Sequence, residues 1–262
     1  MTEIAAAMLA TLFVWWFSTG AIFWLDGLPR RTHRITVGAA TALLCVALWG
    51  ISATAQDPTP SGAYLSFAAG LMVWAWVELT FLTGLITGPN RTPRPPGLSL
   101  SRRFRLAVGA ILWHELLILA LAVVVFALSW GGENLVGAWT VAILWAMRTS
   151  TKLNLFLGVR NTYAQLLPPA LHHIASHFTR AQMNPLFPTA VTAAGVLAVV
   201  LLAAAFSAEQ GSFAASAFAI LGTLAALGAI EHAFLMLPLR TEALWAWSLG
   251  ERAQRNGTAA AP

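Results

Sequence analysis

Charge is the scarcest property of this chain. Only 10% of its 262 residues are Asp, Glu, Lys or Arg, against roughly 25% in an ordinary soluble domain. A chain of this size with so few charges cannot face water over its whole surface, which excludes a soluble enzyme or a soluble binding module. Cysteine is nearly absent. Cys45 is alone, so an internal disulfide is excluded, and its mid-span position reads as a small core residue. Lysine occurs once, at Lys152, beside fourteen arginines; in an Ala-rich chain genome composition explains that bias as readily as chemistry. No internal repeat is visible and no pair of spans is broken by Gly or Pro, which argues against an inverted-repeat porter in which Glu78 or Glu115 would carry a proton.

Apolar residues fill the space that charge leaves. They make up 58% of the chain, mean hydropathy is +0.71, and there are 12 Trp and 14 Phe. Runs of about 20 apolar residues span a bilayer, and seven such runs are read here: Ile4–Leu25, Ile35–Ala55, Ala63–Thr87, Leu106–Trp130, Asn134–Phe156, Phe187–Ser207 and Ser212–Leu237. The first has Glu3 as its only early charge and no small-residue cleavage site, so it reads as a retained span rather than a signal peptide.

The basic residues set the orientation. Arg30, Arg31 and Arg34 follow the first span, and Arg91, Arg94, Arg102, Arg103 and Arg105 follow the third. Arg148, Lys152, Arg160 and Arg180 lie at or after the end of the fifth, and Arg240, Arg252 and Arg255 follow the seventh. Seven spans therefore put every basic residue on one side, and Glu3, Asp57, Glu133 and Glu209 on the other. The positive-inside rule places the N-terminus outside and the C-terminus in the cytoplasm. A pI near 10.6 does not signal nucleic acid, because the basic residues sit in short loops between apolar runs. The fold class expected is thus an all-α integral membrane protein, one domain over residues 1–256 with a disordered tail at 257–262, in a bacterial cytoplasmic membrane. Its one obligatory partner is the lipid bilayer.

Two cytoplasmic connections are long. Gly88–Arg105 contains Pro89, Pro93, Pro95 and Pro96 and reads as an extended, semi-rigid segment. Val159–Pro185 contains a predicted interfacial helix at 169–183, with Leu171, Ile174, Ala175, Phe178 and Ala181 as its apolar stripe.

Within the spans lie Glu78, His114–Glu115, Arg148, Lys152, Asn154 and Glu231–His232. A charge at the bilayer centre costs roughly 2.5–3.5 kcal/mol on insertion scales, so these groups need partners. The carboxylates share a depth of roughly 9–14 Å from the cytoplasmic boundary. In both His–Glu pairs the histidine lies one residue nearer the cytoplasm, because the order of the pair reverses together with helix direction. One site built by the third, fourth, fifth and seventh spans is therefore expected. Three chemistries remain open for it. Arg148 and Lys152 can neutralise two glutamates in an ion-pair network. Glu78, His114, Glu115, His172, Glu231 and His232 can hold a metal, most plausibly di-iron, although the E-x-x-H spacing of soluble di-iron bundles is absent. A pocket for a polar or tetrapyrrole ligand, with an axial histidine, is the third. In the predicted interfacial helix His173 and His177 fall on the polar face beside Arg180 and read as solvated, whereas His172 borders the apolar stripe and is placed to reach inward. His33, among arginines, reads as loop.

The segments that punctuate the spans carry a resemblance. FVWWFSTG (Phe13–Gly20), LDGLPRRT (Leu25–Thr32), GPNRTPRPPG (Gly88–Gly97), KLNLFLGVRN (Lys152–Asn161), MNPLFP (Met183–Pro188) and EHAFLMLPL (Glu231–Leu239) together resemble the photosynthetic complex assembly protein 2 family, from about Phe13 to Trp247. Where family members carry His-Glu near the end of the third span, this chain has Val77-Glu78. The resemblance implies a protein encoded near the reaction-centre H subunit in purple phototrophs and associated with bacteriochlorophyll supply and assembly of photosynthetic complexes. Its implied partners are pigment-synthesis enzymes or complex subunits. It implies no set of catalytic residues. Two functions follow as expectations: a non-catalytic biogenesis factor, or a membrane-bound iron-dependent oxidoreductase acting on a bacteriochlorophyll precursor or another lipid-soluble substrate.

Overall fold

The computed structural model describes residues 2–237, 239 and 241–249. Among them the regular elements are all helical: α1 (Thr2–Gly27), α2 (His33–Thr54), α3 (Pro60–Leu82), α4 (Leu100–Leu128), α5 (Val136–Leu157), α6 (His172–Ala175), α7 (Leu186–Ser207), α8 (Phe213–Phe234) and α9 (Ala246–Leu249), with short 3₁₀ turns between. Six of them, α1–α4, α7 and α8, are long and apolar enough to cross a membrane. The architecture is consistent with a multi-pass helical membrane protein. Helix α5 has the length of a span, 22 residues, but Arg148 and Lys152 lower its hydropathy. The expected tail at 257–262 and the basic residues Arg240, Arg252 and Arg255 lie outside the described residues.

Burial is uneven, and this locates the core. Within the most apolar stretch, 72% of α3 and 67% of α8 is buried, against 17% of α1, α2 and α7 and 22% of α4. Helices α3, α5 and α8 pack on one another at the centre. The outer helices turn side chains such as Leu9, Phe13, Trp49, Val123 and Val199 outward, as lipid-facing helices do. Small residues bring the central helices together. At the α3–α5 crossing a Cβ on Gly70 would run into the Gly137 backbone, and the Gly137 N–H donates to Ser66 Oγ at 2.9 Å.

Local chemistry sets the helix ends. Thr59 caps α3, its hydroxyl accepting from the Gly62 N–H at 3.1 Å, with Pro60 at the first helical position. Ser212 caps α8 in the same way through Ala215. Gly84, at φ 75°, ends α3, and the Leu85 N–H bonds back to the Thr80 carbonyl, the left-handed stop that glycine allows without a Cβ clash.

Several sequence expectations need correction. The third span stops at Leu82 rather than Thr87, because Gly84 reverses the chain; residues 87–90 then lie on α4, where Asn90 N–H bonds Gly109 O and His114 N–H bonds Thr87 O. Helix α4 begins at Leu100 rather than Leu106, so Arg102, Arg103 and Arg105 belong to its first turns; arginine is a good helix former. Cys45 is exposed on α2 rather than a core residue, since α2 is an outer helix. The predicted interfacial helix at 169–183 is reduced to a 3₁₀ turn, Pro169–Leu171, and the single turn α6. Tertiary bonds replace its continuation: Thr179 N–H donates to Leu155 O, and Val159 and Thr179–Ala181 exchange backbone bonds through an isolated bridge.

Candidate functional site

Helix α5 organises the polar groups. Its Arg148 donates from Nη2 to Glu78 Oε2 of α3 at 2.8 Å. One turn on, its Lys152 donates to Glu115 Oε1 of α4 at 2.5 Å. The two cations lie four residues apart and so share one face of α5, but each is committed to a different neighbour. Between them, at Ser150, α5 meets α8. The His232 ring bonds Gly228 O through Nδ1 and Ser150 Oγ through Nε2, both at 2.8 Å. A carbonyl can only accept, so Nδ1 carries a proton and donates to Gly228 O. Asn154 closes the sequence, accepting from Asn184 Nδ2 at 3.0 Å and donating to Ser150 O.

Glu78, Glu115 and His232 therefore meet α5 at separate points rather than sharing one centre. Helices α4 and α8 are not among the principal packing pairs, whereas α5 packs on both. His114 is fully buried and stacks on Phe81 with 4.1 Å between ring centroids; neither of its ring nitrogens has a partner. Phe81 also has Lys152 Nζ 5.8 Å from its centroid, a cation–π distance. His172 is exposed. Among the described residues no three of His, Cys, Asp and Glu are grouped as a metal site requires. The set Glu78, His114, Glu115, His172, Glu231 and His232 is not brought together as an iron shell, because the adjacent His and Glu of each pair diverge by about 100° around their helix.

Beside the ion pairs lies a partly open cavity of about 370 Å³ lined by α1, α3, α4, α5, α8 and the 162–178 connection. That volume lies in the range of ligand sites, roughly 300–1,000 Å³. Its walls are aromatic, with Trp15, Trp74, Phe81, Phe156, Phe234 and Trp245 among them. Glu78, Arg148, Lys152 and Glu231 supply its charged edge. Trp245 comes from the chain beyond α8, which returns to α1: the Trp16 indole donates to Leu244 O at 2.8 Å, and the Trp245 indole donates to Trp16 O at 3.0 Å.

The 162–178 connection forms one wall and reverses the expected roles of its histidines. His177 is 3% exposed, lines the cavity and has no partner at either ring nitrogen. His173 is half-buried. Burial holds both imidazoles below the usual histidine range; Arg91 adds to this at His173, and Arg94, His173 and Arg103 add at His177. The helical wheel placed His177 outside because it assumed a continuous helix. The break after Ala175 turns it in.

The geometry can be set beside known proteins. Residues 1–256 match the family described as "Protein of unknown function (DUF3623)". The chain belongs to this family. A Rhodobacter capsulatus protein described as an uncharacterized 30.4 kDa protein in the puhA 5′ region is 42% identical over 246 residues, covering 92% of this chain and 89% of that one. No solved structure matches. In this DUF3623 chain no sequence motif marks the aromatic cavity or Ser150, and the helical period puts His177 in solvent rather than in the cavity wall. One signal was present: Trp15 and Trp74 lie well inside their spans, away from the interfaces where tryptophan is enriched.

Proposed function

We propose that the chain is a biogenesis factor for the bacterial photosynthetic apparatus, supporting bacteriochlorophyll supply and the assembly of reaction-centre and light-harvesting complexes. The observation that carries this reading is the 42% identical relative described by its place in the puhA 5′ region, puhA being the reaction-centre H gene. In this reading α5 is the fifth of seven spans, the N-terminus faces the periplasm and the C-terminus the cytoplasm. The cavity is the place where a lipid-soluble cargo is held. The basic start of α4 and the proline-rich connection before it form a cytoplasmic face for pigment-synthesis enzymes or complex subunits.

Fit separates the two candidate groups. Iron does not fit, since among the described residues the His and Glu side chains form no common shell. A bacteriochlorophyll-type tetrapyrrole meets aromatic walls and, in His177, a buried imidazole without a partner. When bound, such a pigment would supply light absorption and not catalysis. The residues of this chain would exclude water from it and fix its orientation.

Deletion of the gene in its phototrophic host tests the role. Bacteriochlorophyll content or reaction-centre yield should change while aerobic dark growth stays near normal. Normal pigment with a general growth defect would refute it.

A further inference from the structure

We infer that the cavity takes an amphiphile with a phosphate-type head, its ring and chain lying among the aromatic walls and its head held by Arg94, Arg103 and His177. The inference rests on the cavity being a cargo site and names the class of cargo. Two basic segments meet where the 162–178 connection covers the start of α4. The Arg94 backbone N–H donates to Ser176 Oγ at 2.8 Å, and Arg103 Nη2 donates to Thr179 Oγ1 at 2.6 Å. Ser176 and Thr179 bracket His177, so both arginines are tied to the turn that carries it. His177 is 3% exposed, lines the cavity and has no partner at either ring nitrogen. Arg103 Nε is likewise buried without a partner. The Arg103 guanidinium lies 5.4 Å over the ring of Phe156, which is a cavity wall. Arg103, Ala107 and Ile111 share one face of α4, and the last two line the cavity. The basic cluster and the cavity are therefore continuous.

Charge at this end of the cavity is of one sign. Among the described residues the ion pairs are Arg148–Glu78 and Lys152–Glu115, so Arg91, Arg94 and Arg103 belong to none. The charged groups that act on His177 are Arg94, His173 and Arg103, and Arg91 acts on His173; no carboxylate is among them. His173 Nε2 is also buried without a partner. Buried polar groups without partners are costly, and like charges gathered around them add to the cost. An oxyanion relieves both at once. Guanidinium forks match phosphate oxygens, and a neutral imidazole still offers one N–H. Three arginines suit a doubly charged phosphate head better than a singly charged carboxylate. The aromatic walls beyond the head favour a flat ring over a plain alkyl chain.

Equilibrium dialysis of the full chain in phosphatidylcholine nanodiscs tests the inference, with empty nanodiscs as the partition blank. The probes are 4-decylphenyl phosphate, 4-decylphenol and phenyl phosphate, which carry head with chain, chain without head, and head without chain. The decyl phosphate ester should bind saturably at one per chain, about tenfold or more tighter than either of the others. Arg94→Gln with Arg103→Gln should erase its advantage over the phenol and leave phenol binding in place. Arg94→Gln alone keeps the backbone bond to Ser176 and changes only a half-buried side chain; it should reduce the advantage without loss of the fold, and the comparison of probes on the unaltered chain needs no variant. Ala75→Phe, which fills the cavity, should weaken both decyl probes. Equal binding of ester and phenol, or an advantage that survives both arginine changes, would overturn the inference and leave the cargo site standing. Phenyl phosphate bound as tightly as the decyl ester would mark a free-phosphate site apart from the cavity and overturn it too. So would loss of ester binding in nanodiscs that contain phosphatidic acid, with Ala75→Phe without effect, since the head site would then belong to a bilayer lipid. No saturable binding by any probe would overturn both the inference and the cargo site, while the cellular role would still be judged by the deletion.

Discussion

At the scale of single residues, the two ion pairs and the unpartnered groups around them behave differently. Lys152 and Glu115 neutralise one another with side chains only 18% and 26% exposed. Removing one partner leaves the other charge in a poorly solvated place, which costs about 3–5 kcal/mol for a buried pair; partial exposure puts this one near the low end. Glu115→Gln should thus lower the thermal stability of the detergent-solubilised protein by about 3 kcal/mol. A second change, Lys152→Met, should recover most of that loss, because the stranded charge is then gone. A Glu115→Gln protein that melts like the parent would show instead that Glu115 is a protonated packing residue. His114 offers the contrast: fully buried, stacked on Phe81 and without a hydrogen-bond partner, it sits where its spacing from Glu115 placed it but outside any shared coordination.

At the scale of elements, the 162–178 connection shows how far a helical wheel can mislead. Its apolar positions were legible: Leu171 and Ile174 are buried, as their spacing required. The histidines were not, since a wheel assumes 3.6 residues per turn throughout, and the helix here ends after Ala175. Burial of His177 in neutral form has a consequence for pH. Its folded pKa lies below the ordinary 6.5, so the unfolded segment takes up a proton more readily than the folded one. The contribution of this group to stability is complete above about pH 6.5 and is lost as pH falls below it. Hydrogen exchange over 169–181, corrected for intrinsic rates, should therefore be faster at pH 5 than at pH 7.5 by more than in the neighbouring helix ends. His177→Phe should reduce that difference. Exchange that does not respond to pH would place the ring in a hydrated site.

At the scale of the whole molecule, orientation is the property most open to test. Periplasm-active reporters fused after Asp57, Glu133 or Glu209 should be active, and one fused after Arg94 should be silent; activity at Arg94 would reverse the assignment. The sequence by itself determined that the chain is helical and built for lipid, because period, length and charge deficit are properties of the chain read locally. It also located the residues of the polar layer, since a charge inside an apolar run is conspicuous wherever the run packs. Only the tertiary structure decided which of them meet. Pairing depends on which helix stands between which, and α5, the least apolar of the long helices, lies at the centre with Arg148 and Lys152 turned to different neighbours. The cavity was equally beyond the sequence: Trp15, Trp74 and Trp245 come from three distant segments, and their convergence is fixed by helix packing and by the return of the chain to α1, neither of which leaves a periodic mark in the sequence.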